Sequence, residues 1–194
     1  MQDYHEFLDE ILIPEDRLQA RIAALGAEIS RDYQGKNPHL ICILRGGVMF
    51  LTDLMRRITI PHTIDFMAIS SYGAGARVSS GQVRLTMDLK DNIEDRHVIL
   101  VEDIVDSGYT LSSVIGLLSV RKPASLKVCT LLDKAERREV DVLIDYCGFV
   151  IPDKFVQLSW FDHQSNQAFL SIVLPALQGS FYPENFDYPN NLMC

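Results

Sequence analysis

The sequence predicts an α/β protein built on a mostly parallel, twisted sheet flanked by helices. Two observations carry that expectation. Short aliphatic runs at 40–44, 98–101 and 126–132 alternate with stretches whose apolar residues recur at helical spacing, and strands that alternate with helices pair in parallel. Residues 98–111 then join the pieces into one unit: four aliphatic residues, a small hydroxyl-rich turn, and a helix start marked by Leu111, Val114, Ile115 and Leu118.

Taken in order, Pro14 is placed at the first position of a helix, with Leu18, Ile22, Leu25 and Ile29 as its buried stripe and Arg17, Arg21, Glu28 and Arg31 facing out. Gly35-Lys36-Asn37-Pro38 breaks the chain before the strand at 40–44. Arg45-Gly46-Gly47 turns tightly into a second amphipathic helix carrying Leu51, Leu54, Met55 and Ile58, with Arg56 and Arg57 in its last turn, where cations suit the helix dipole. Residues 63–70 and 82–88 read as strands on either side of a small-residue loop, Tyr72-Gly73-Ala74-Gly75-Ala76 and Ser79-Ser80-Gly81. After the central unit and the strand at 126–132, residues 142–161 read as short strands around Pro152-Asp153. The tail from Gln178 lacks periodicity and reads as irregular surface chain.

The chain of 194 residues is long enough for a full core and is expected to form a single domain, 1–194. Its net charge of −8 argues against a general nucleic-acid binder, since such affinity rests on phosphate neutralisation by Lys and Arg. It leaves room for a local anion site. Cys42, Cys129, Cys147 and Cys194 are scattered with no Cys-x-x-Cys pair, the pattern of free thiols in a reducing compartment. The polar, acidic N-terminus has no signal-peptide core, and no apolar run approaches the roughly 20 residues that span a bilayer. A cytoplasmic protein without a membrane partner is the expectation.

The chemistry concentrates in residues 98–111. A strand that runs through Ser107, Gly108 and Thr110 into a helix presents unpaired N–H groups and the positive end of the dipole to an anion. Glu102, Asp103 and Asp106 stand beside that cradle. Carboxylates repel phosphate, so they must serve another part of the same ligand: a ribose diol, a metal ion or a proton in transit. An isolated Asp-Ser-Gly would merely cap the next helix. Neighbours on a strand point to opposite faces, so Glu102 and Asp103 meet one ligand only where the backbone has turned.

This stretch resembles the phosphoribosyl-diphosphate (PRPP) signature of type I phosphoribosyltransferases, and the surrounding chain is similar to their hypoxanthine or hypoxanthine-guanine branch. Leu44-Arg45-Gly46-Gly47 matches the pyrophosphate loop and Ser70-Ser71-Tyr72-Gly73 the start of the mobile catalytic loop. Leu131-Leu132-Asp133-Lys134 and Ile151-Pro152-Asp153-Lys154-Phe155-Val156 match the purine-binding segments. The resemblance implies the type I fold, with a core at about 35–140 and a small hood formed by the chain ends, about 1–20 and 145–194. It implies that Glu102 and Asp103 hold the ribose hydroxyls and that Ser107, Gly108, Tyr109 and Thr110 hold the 5′-phosphate. Asp106 would take the purine N7 proton, Ser71 and Tyr72 would close over the reacting centre, and Leu44, Arg45 and Gly46 would meet the pyrophosphate. Lys134 would face the 6-oxo group, Phe155 would stack on the purine, and Lys154 and Val156 would touch its edge. Mg²⁺ is implied as the cofactor, with Asp162 and the Glu102–Asp103 pair as metal-side residues, and a homodimer or homotetramer as the assembly. A non-proline cis peptide between residues 44 and 45 also occurs in this family.

One segment departs from the pattern. Gln157-Leu158-Ser159-Trp160-Phe161-Asp162-His163 stands where the family reads Val-Gly-Tyr-Gly-Leu-Asp-Tyr, and the family's pyrophosphate-contacting Arg falls on Ala168. No Lys or Arg follows Lys154. Losing such a charge-assisted contact weakens binding by roughly 1.5–3 kcal/mol. Beside the transferase reading stand a catalytically weak PRPP or nucleotide-binding regulator of the same fold, and a transferase that uses xanthine.

Overall fold

The computed structural model describes residues 12–71, 83–153, 157–159 and 171–173. Along the chain come α1 (Glu15–Asp32), β1 (His39–Leu44), α2 (Val48–Arg57), β2 (Thr63–Ser71), β3 (Val83–Met87), β4 (His97–Val105), α3 (Tyr109–Ser119), β5 (Ser125–Asp133), β6 (Tyr146–Val150), β7 (Gln157–Ser159) and β8 (Ser171–Val173). The first six strands form one sheet in the order β3-β2-β1-β4-β5-β6, and β7 pairs with β8. All neighbours in the large sheet run parallel except β2 and β3. The α/β expectation therefore holds, and the chain reverses its direction of growth between β1 and β4. Open sheets of this kind bind ligands beyond the carboxyl ends of their strands at that switch point.

Burial explains why the strand sequences are nearly continuous apolar runs. Leu40, Cys42, Ile99, Val101, Cys129 and Leu131 pack with α1 and α2 on one face. Ile41, Ile43, Val98, Leu100 and Val128 pack with α3 on the other. A central strand covered on both faces has no solvent-facing positions to make polar. Leu18, Ile22, Leu25 and Ile29 of α1 are fully buried, as their spacing predicts.

Three details differ from the sequence reading. Pro14 lies just outside α1 as its N-cap, with φ −62° and ψ 152°. Its ring fixes φ but not ψ, so the extended ψ keeps it out of the helix while its carbonyl accepts from Leu18 N at 2.9 Å. Arg21, placed outward by periodicity, turns back along α1. Its Nη2 and Nε donate to the carbonyls of Cys147 and Gly148 in β6 at 2.7 and 3.1 Å, and Nη1 pairs with Glu28 at 2.8 Å. Periodicity assigns a face to the Cα, and a long Arg side chain can leave that face to find carbonyls. Finally, the central strand runs on through the acids to Val105. Among the described residues, no helix is long and apolar enough to cross a membrane.

The packing of α1 on α2 depends on Gly26. A Cβ there would lie 2.5 Å from Arg57 Cβ and 2.8 Å from the Arg57 backbone. Replacing a helical Gly by Ala ordinarily gains roughly 0.5–1 kcal/mol. Here the added methyl meets backbone, and overpacking of this kind costs about 1–3 kcal/mol. Gly26→Ala is expected to lower the urea midpoint without changing the slope of the transition; a higher midpoint would show that α2 moves aside freely.

Candidate functional site

The switch point brings the end of β1 against the end of β4. β1 stops at Leu44, the Leu44–Arg45 peptide is cis, and α2 begins at Val48 with no side chain capping it. The turn between them lies flush on β4. A Cβ on Gly46 would run into the Asp103 carboxylate, and one on Gly47 would come within 2.9 Å of Cys42 Sγ and 3.3 Å of the Val101 carbonyl. The glycines are thus required by close approach, which brings a turn of backbone N–H groups to an acidic strand end.

Glu102 and Asp103 occupy that strand end. Pairing with β5 continues through them, Glu102 opposite Thr130 and Ile104 opposite Leu132. Strict alternation nevertheless lapses. Val101 and Ile104 both pack on the α1–α2 side, while Leu100 and Val105 both pack on the α3 side. The change of phase falls on the two acids, where neighbouring side chains need not diverge. Burial, and after it the adjacent Asp103 charge, holds the Glu102 carboxyl well above the usual range. Burial raises Asp103 as well, against the pull of backbone N–H groups that include Ile104 N at 3.0 Å. Beneath them the Cys42 thiol is pushed up to about 12 by burial and by both acids, so it is no nucleophile.

Residues 106–110 form the cradle. Neither Asp106 nor Ser107 caps α3; the N-cap is Gly108, at φ +90°, and among the described residues the helix N-terminus has no side-chain cap. Those first N–H groups therefore point out of a helix end with their side-chain acceptor missing, the arrangement that receives an anion. Gly108 is fixed twice, by its left-handed backbone and by the Val140 carbonyl, which would lie 2.5 Å from any Cβ. The turn is held from behind: the Ser107 carbonyl accepts from Glu139 N at 2.9 Å and Val140 N at 3.0 Å. Tyr109 and Thr110 open the helix itself.

Lys134 follows the last residue of β5, and its backbone N–H donates to Val105 O at 2.9 Å. Its side chain is buried, 5% exposed, which removes it from the solvated run that Lys-x-x-Arg-Arg suggests. A 3₁₀ turn, Ala135–Arg137, comes next. Arg138 pairs with Asp133. Arg137 Nε lies 3.2 Å from Asp106 Oδ1 and 3.5 Å from Asp153 Oδ1. Sequence reasoning missed Arg137 and Arg138 as site residues, because nothing in Glu-Arg-Arg-Glu distinguishes a pair that folds back from one that stays in solvent.

The structure thus gathers Leu44, Arg45, Gly46, Glu102, Asp103, Asp106, Ser107, Gly108, Tyr109, Thr110 and Lys134 around the carboxyl ends of β1, β4 and β5. Ser71 ends β2, its backbone in register with Val83. Tyr72, Lys154, Phe155, Val156, Asp162 and Ala168 lie outside the described residues.

Two groups of residues could hold a cation. His39, Asp65 and Asp91 have ligand atoms within 4.8 Å of one another, but they sit at the amino ends of the strands, away from the cradle. Asp65 already accepts from the backbone of Phe66, Lys90 and Asp91, and Arg96 lies 3.7 Å from Asp91. That cluster is balanced without a metal. Glu102 and Asp103 are the opposite case: adjacent acids, both raised, on the strand end that leads into the anion cradle. A cation or a pair of hydroxyl donors relieves them, so they fit a hydrated divalent ion or a sugar diol.

An uncapped helix end for a phosphate, paired acids for a diol or metal, a third acid for a proton and a buried Lys define an α/β enzyme that handles a phosphorylated sugar. Comparison with known proteins agrees. The phosphoribosyl transferase domain family matches residues 13–166. The chain is 49% identical to the hypoxanthine phosphoribosyltransferase of Haemophilus influenzae over 150 residues, 76% of this chain and 83% of that protein. It is 48% identical to that of Escherichia coli strain K12 over 149 residues, with the same coverage. The crystal structure of a hypoxanthine phosphoribosyltransferase from Staphylococcus aureus superposes with a TM-score of 0.82 at 39% identity, covering 91% of this chain and 97% of that one. The chain belongs to the phosphoribosyltransferase family, and its fold is the type I fold of those structures.

The raised Glu102 carboxyl has a consequence for stability. Folding strengthens its hold on a proton, so the folded chain pays for a buried charge at high pH and is relieved as pH falls toward the folded value. Glu102→Gln is therefore expected to raise Tm at pH 8 and to raise it progressively less on acidification towards the ordinary Glu value of 4.5. Each kcal/mol released moves Tm by about 2–4 °C in a chain of this size. Thermal melts across that range check it; equal shifts at every pH would show that the charge is not the cause.

Proposed function

We propose that the protein transfers the 5-phosphoribosyl group of PRPP to N9 of hypoxanthine, and also of guanine, giving IMP or GMP and pyrophosphate in purine salvage. The observation that carries this is the uncapped N-terminus of α3 following directly on the strand end that carries Glu102, Asp103 and Asp106. It offers each part of a phosphorylated ribose, and the proton released beside it, a suitable partner. The hypoxanthine phosphoribosyltransferases similar to this chain support the choice of base.

In this reading the 5′-phosphate sits on the N–H groups and hydroxyls of Ser107, Gly108, Tyr109 and Thr110. Glu102 and Asp103 accept from the ribose hydroxyls. The turn of Leu44, Arg45 and Gly46 meets the pyrophosphate, with the Arg45 guanidinium as its charged member. N9 of the purine attacks C1′ as the bond from C1′ to the pyrophosphate oxygen breaks, and Asp106 takes the N7 proton. A negative carboxylate beside C1′ also favours the positive charge that builds on the ribose. Lys134 donates to the 6-oxo group and has nothing to offer the amino group of adenine. Ser71 and Tyr72 act as the covering loop, and Lys154, Phe155 and Val156 hold the purine. Glu102, Asp103 and Asp162 would be the residues to hold Mg²⁺, which would offset the negative charge of the diphosphate when PRPP is bound. The single domain with its hood, and assembly as a homodimer or homotetramer, complete the proposal. For the Trypanosoma cruzi hypoxanthine phosphoribosyl transferase, a structural relative, the C-terminal region has been examined for its role in oligomeric state and activity.

Pyrophosphate release from PRPP, measured with hypoxanthine, guanine, xanthine, adenine and uracil in turn, tests the function. Turnover is expected with the first two. PRPP binding without turnover of any base would instead mean a regulator. Asp106→Asn is expected to lower kcat by about 10²–10⁴, the usual worth of a positioned general base, with PRPP affinity retained. Lys134→Gln should reduce the preference for 6-oxopurines over adenine, read as the ratio of the two kcat/KM values.

A further inference from the structure

Arg137 is the one cation placed against the proton acceptor among the described residues, and the transferase signature assigns it nothing. It ends the 3₁₀ turn that begins beyond Lys134, and its backbone N–H donates to the Lys134 carbonyl at 3.0 Å. Its Nε lies 3.2 Å from Asp106 Oδ1 and 3.5 Å from Asp153 Oδ1. One guanidinium therefore joins the carboxylate beside the phosphate cradle to the segment that carries the purine edge. The pairing with Asp106 is ionic rather than hydrogen-bonded. Oδ1, the oxygen against Arg137, is shut away from solvent and receives no aligned N–H, while the side chain as a whole is 44% exposed, so it is the other carboxylate oxygen that stays open to a donor arriving from the ligand. A guanidinium that fixes a carboxylate without filling its acceptor leaves that carboxylate oriented and able to take a proton.

We propose that Arg137 is a positioning residue for the transfer: it holds Asp106 towards the N7–H of the bound 6-oxopurine and ties that carboxylate, through Asp153 and the Lys134 turn, to the groups that recognise the base. The inference rests on the transferase reading and deepens it. It also separates from stability. The side chains of Arg137, Asp106 and Asp153 are 49%, 44% and 51% exposed, and exposed ion pairs contribute little to folding. The work of Arg137 lies in geometry, where a displacement of about 1 Å can cost as much as 10²-fold in rate.

The test is a double-mutant cycle on the full chain, read with PRPP and hypoxanthine. Arg137→Ala is expected to lower kcat by about 10- to 100-fold, to leave the KM for PRPP within about twofold and to leave Tm within about 2 °C of wild type. Arg137→Lys keeps the charge and should recover much of the loss. Because Arg137 acts through Asp106, adding Arg137→Ala to Asp106→Asn should cost nothing further, since residues that work as a unit are not additive. A single variant with wild-type kcat, or a double variant slowed by the product of the two single losses, overturns the proposal. A wild-type chain that turns over no base overturns the transferase reading, and this inference with it.

Discussion

Every group at the site is placed by the parallel pairing of β4 between β1 and β5. β4 matches β1 from His39–Val98 to Cys42–Val101 and β5 from His97–Ser125 to Val105–Asp133. Those registers put the carboxyl ends of the three strands side by side. The 44–47 turn, the acids at 102–106 and Lys134 are thereby neighbours, although about 30 to 90 positions separate them along the chain. The pairing rests on apolar burial on both faces, which has no polar alternative to settle into. The core therefore fixes the geometry, and the strand ends are free to carry chemistry that would destabilise a core.

That freedom has a cost in local conformation and charge. Two turns approach so closely that only glycine fits, Gly46 against Asp103 and Gly108 against Val140. Two adjacent carboxyls are held where burial disfavours their ionised form. An uncapped helix N-terminus completes the set. In the reading proposed above, the hydroxyls and phosphate oxygens of a polyanionic sugar would satisfy the paired acids and the uncapped helix end, which the protein alone leaves unsatisfied. Sites selected for function characteristically sit above the stability minimum of their own fold, and here the ligand would supply what the protein withholds.

Much of this was legible in the sequence. Helical spacing located Leu18, Ile22, Leu25 and Ile29, and the strand-turn-helix at 98–111 located the cradle, because core burial and helix ends follow local rules. The lapse of alternation at Glu102 and Asp103 was not legible: it falls where β4 has run past its pairing with β1 and continues against β5 alone, a property of three strands at once. Arg21 and Arg137 escaped for a related reason. Their partners are the Cys147 and Gly148 carbonyls in one case and Asp106 and Asp153 in the other, distant in sequence and reached by flexible side chains. Tyr72, Phe155 and Asp162, by contrast, were assigned by family motif alone and lie outside the described residues.

The Arg21 fork has a meaning beyond its local bonds. β6 is the outer strand of the sheet, and successive carbonyls of a strand point to opposite edges. One guanidinium nevertheless reaches both the Cys147 and the Gly148 carbonyl, so that alternation is broken in the outer strand, where a regular unpaired ladder would invite a strand from another molecule. A guanidinium delivered from α1 occupies that invitation with a charge. Among the described residues the sheet is ended from within the fold, and a chain without this arginine would be more prone to edge-to-edge association during folding.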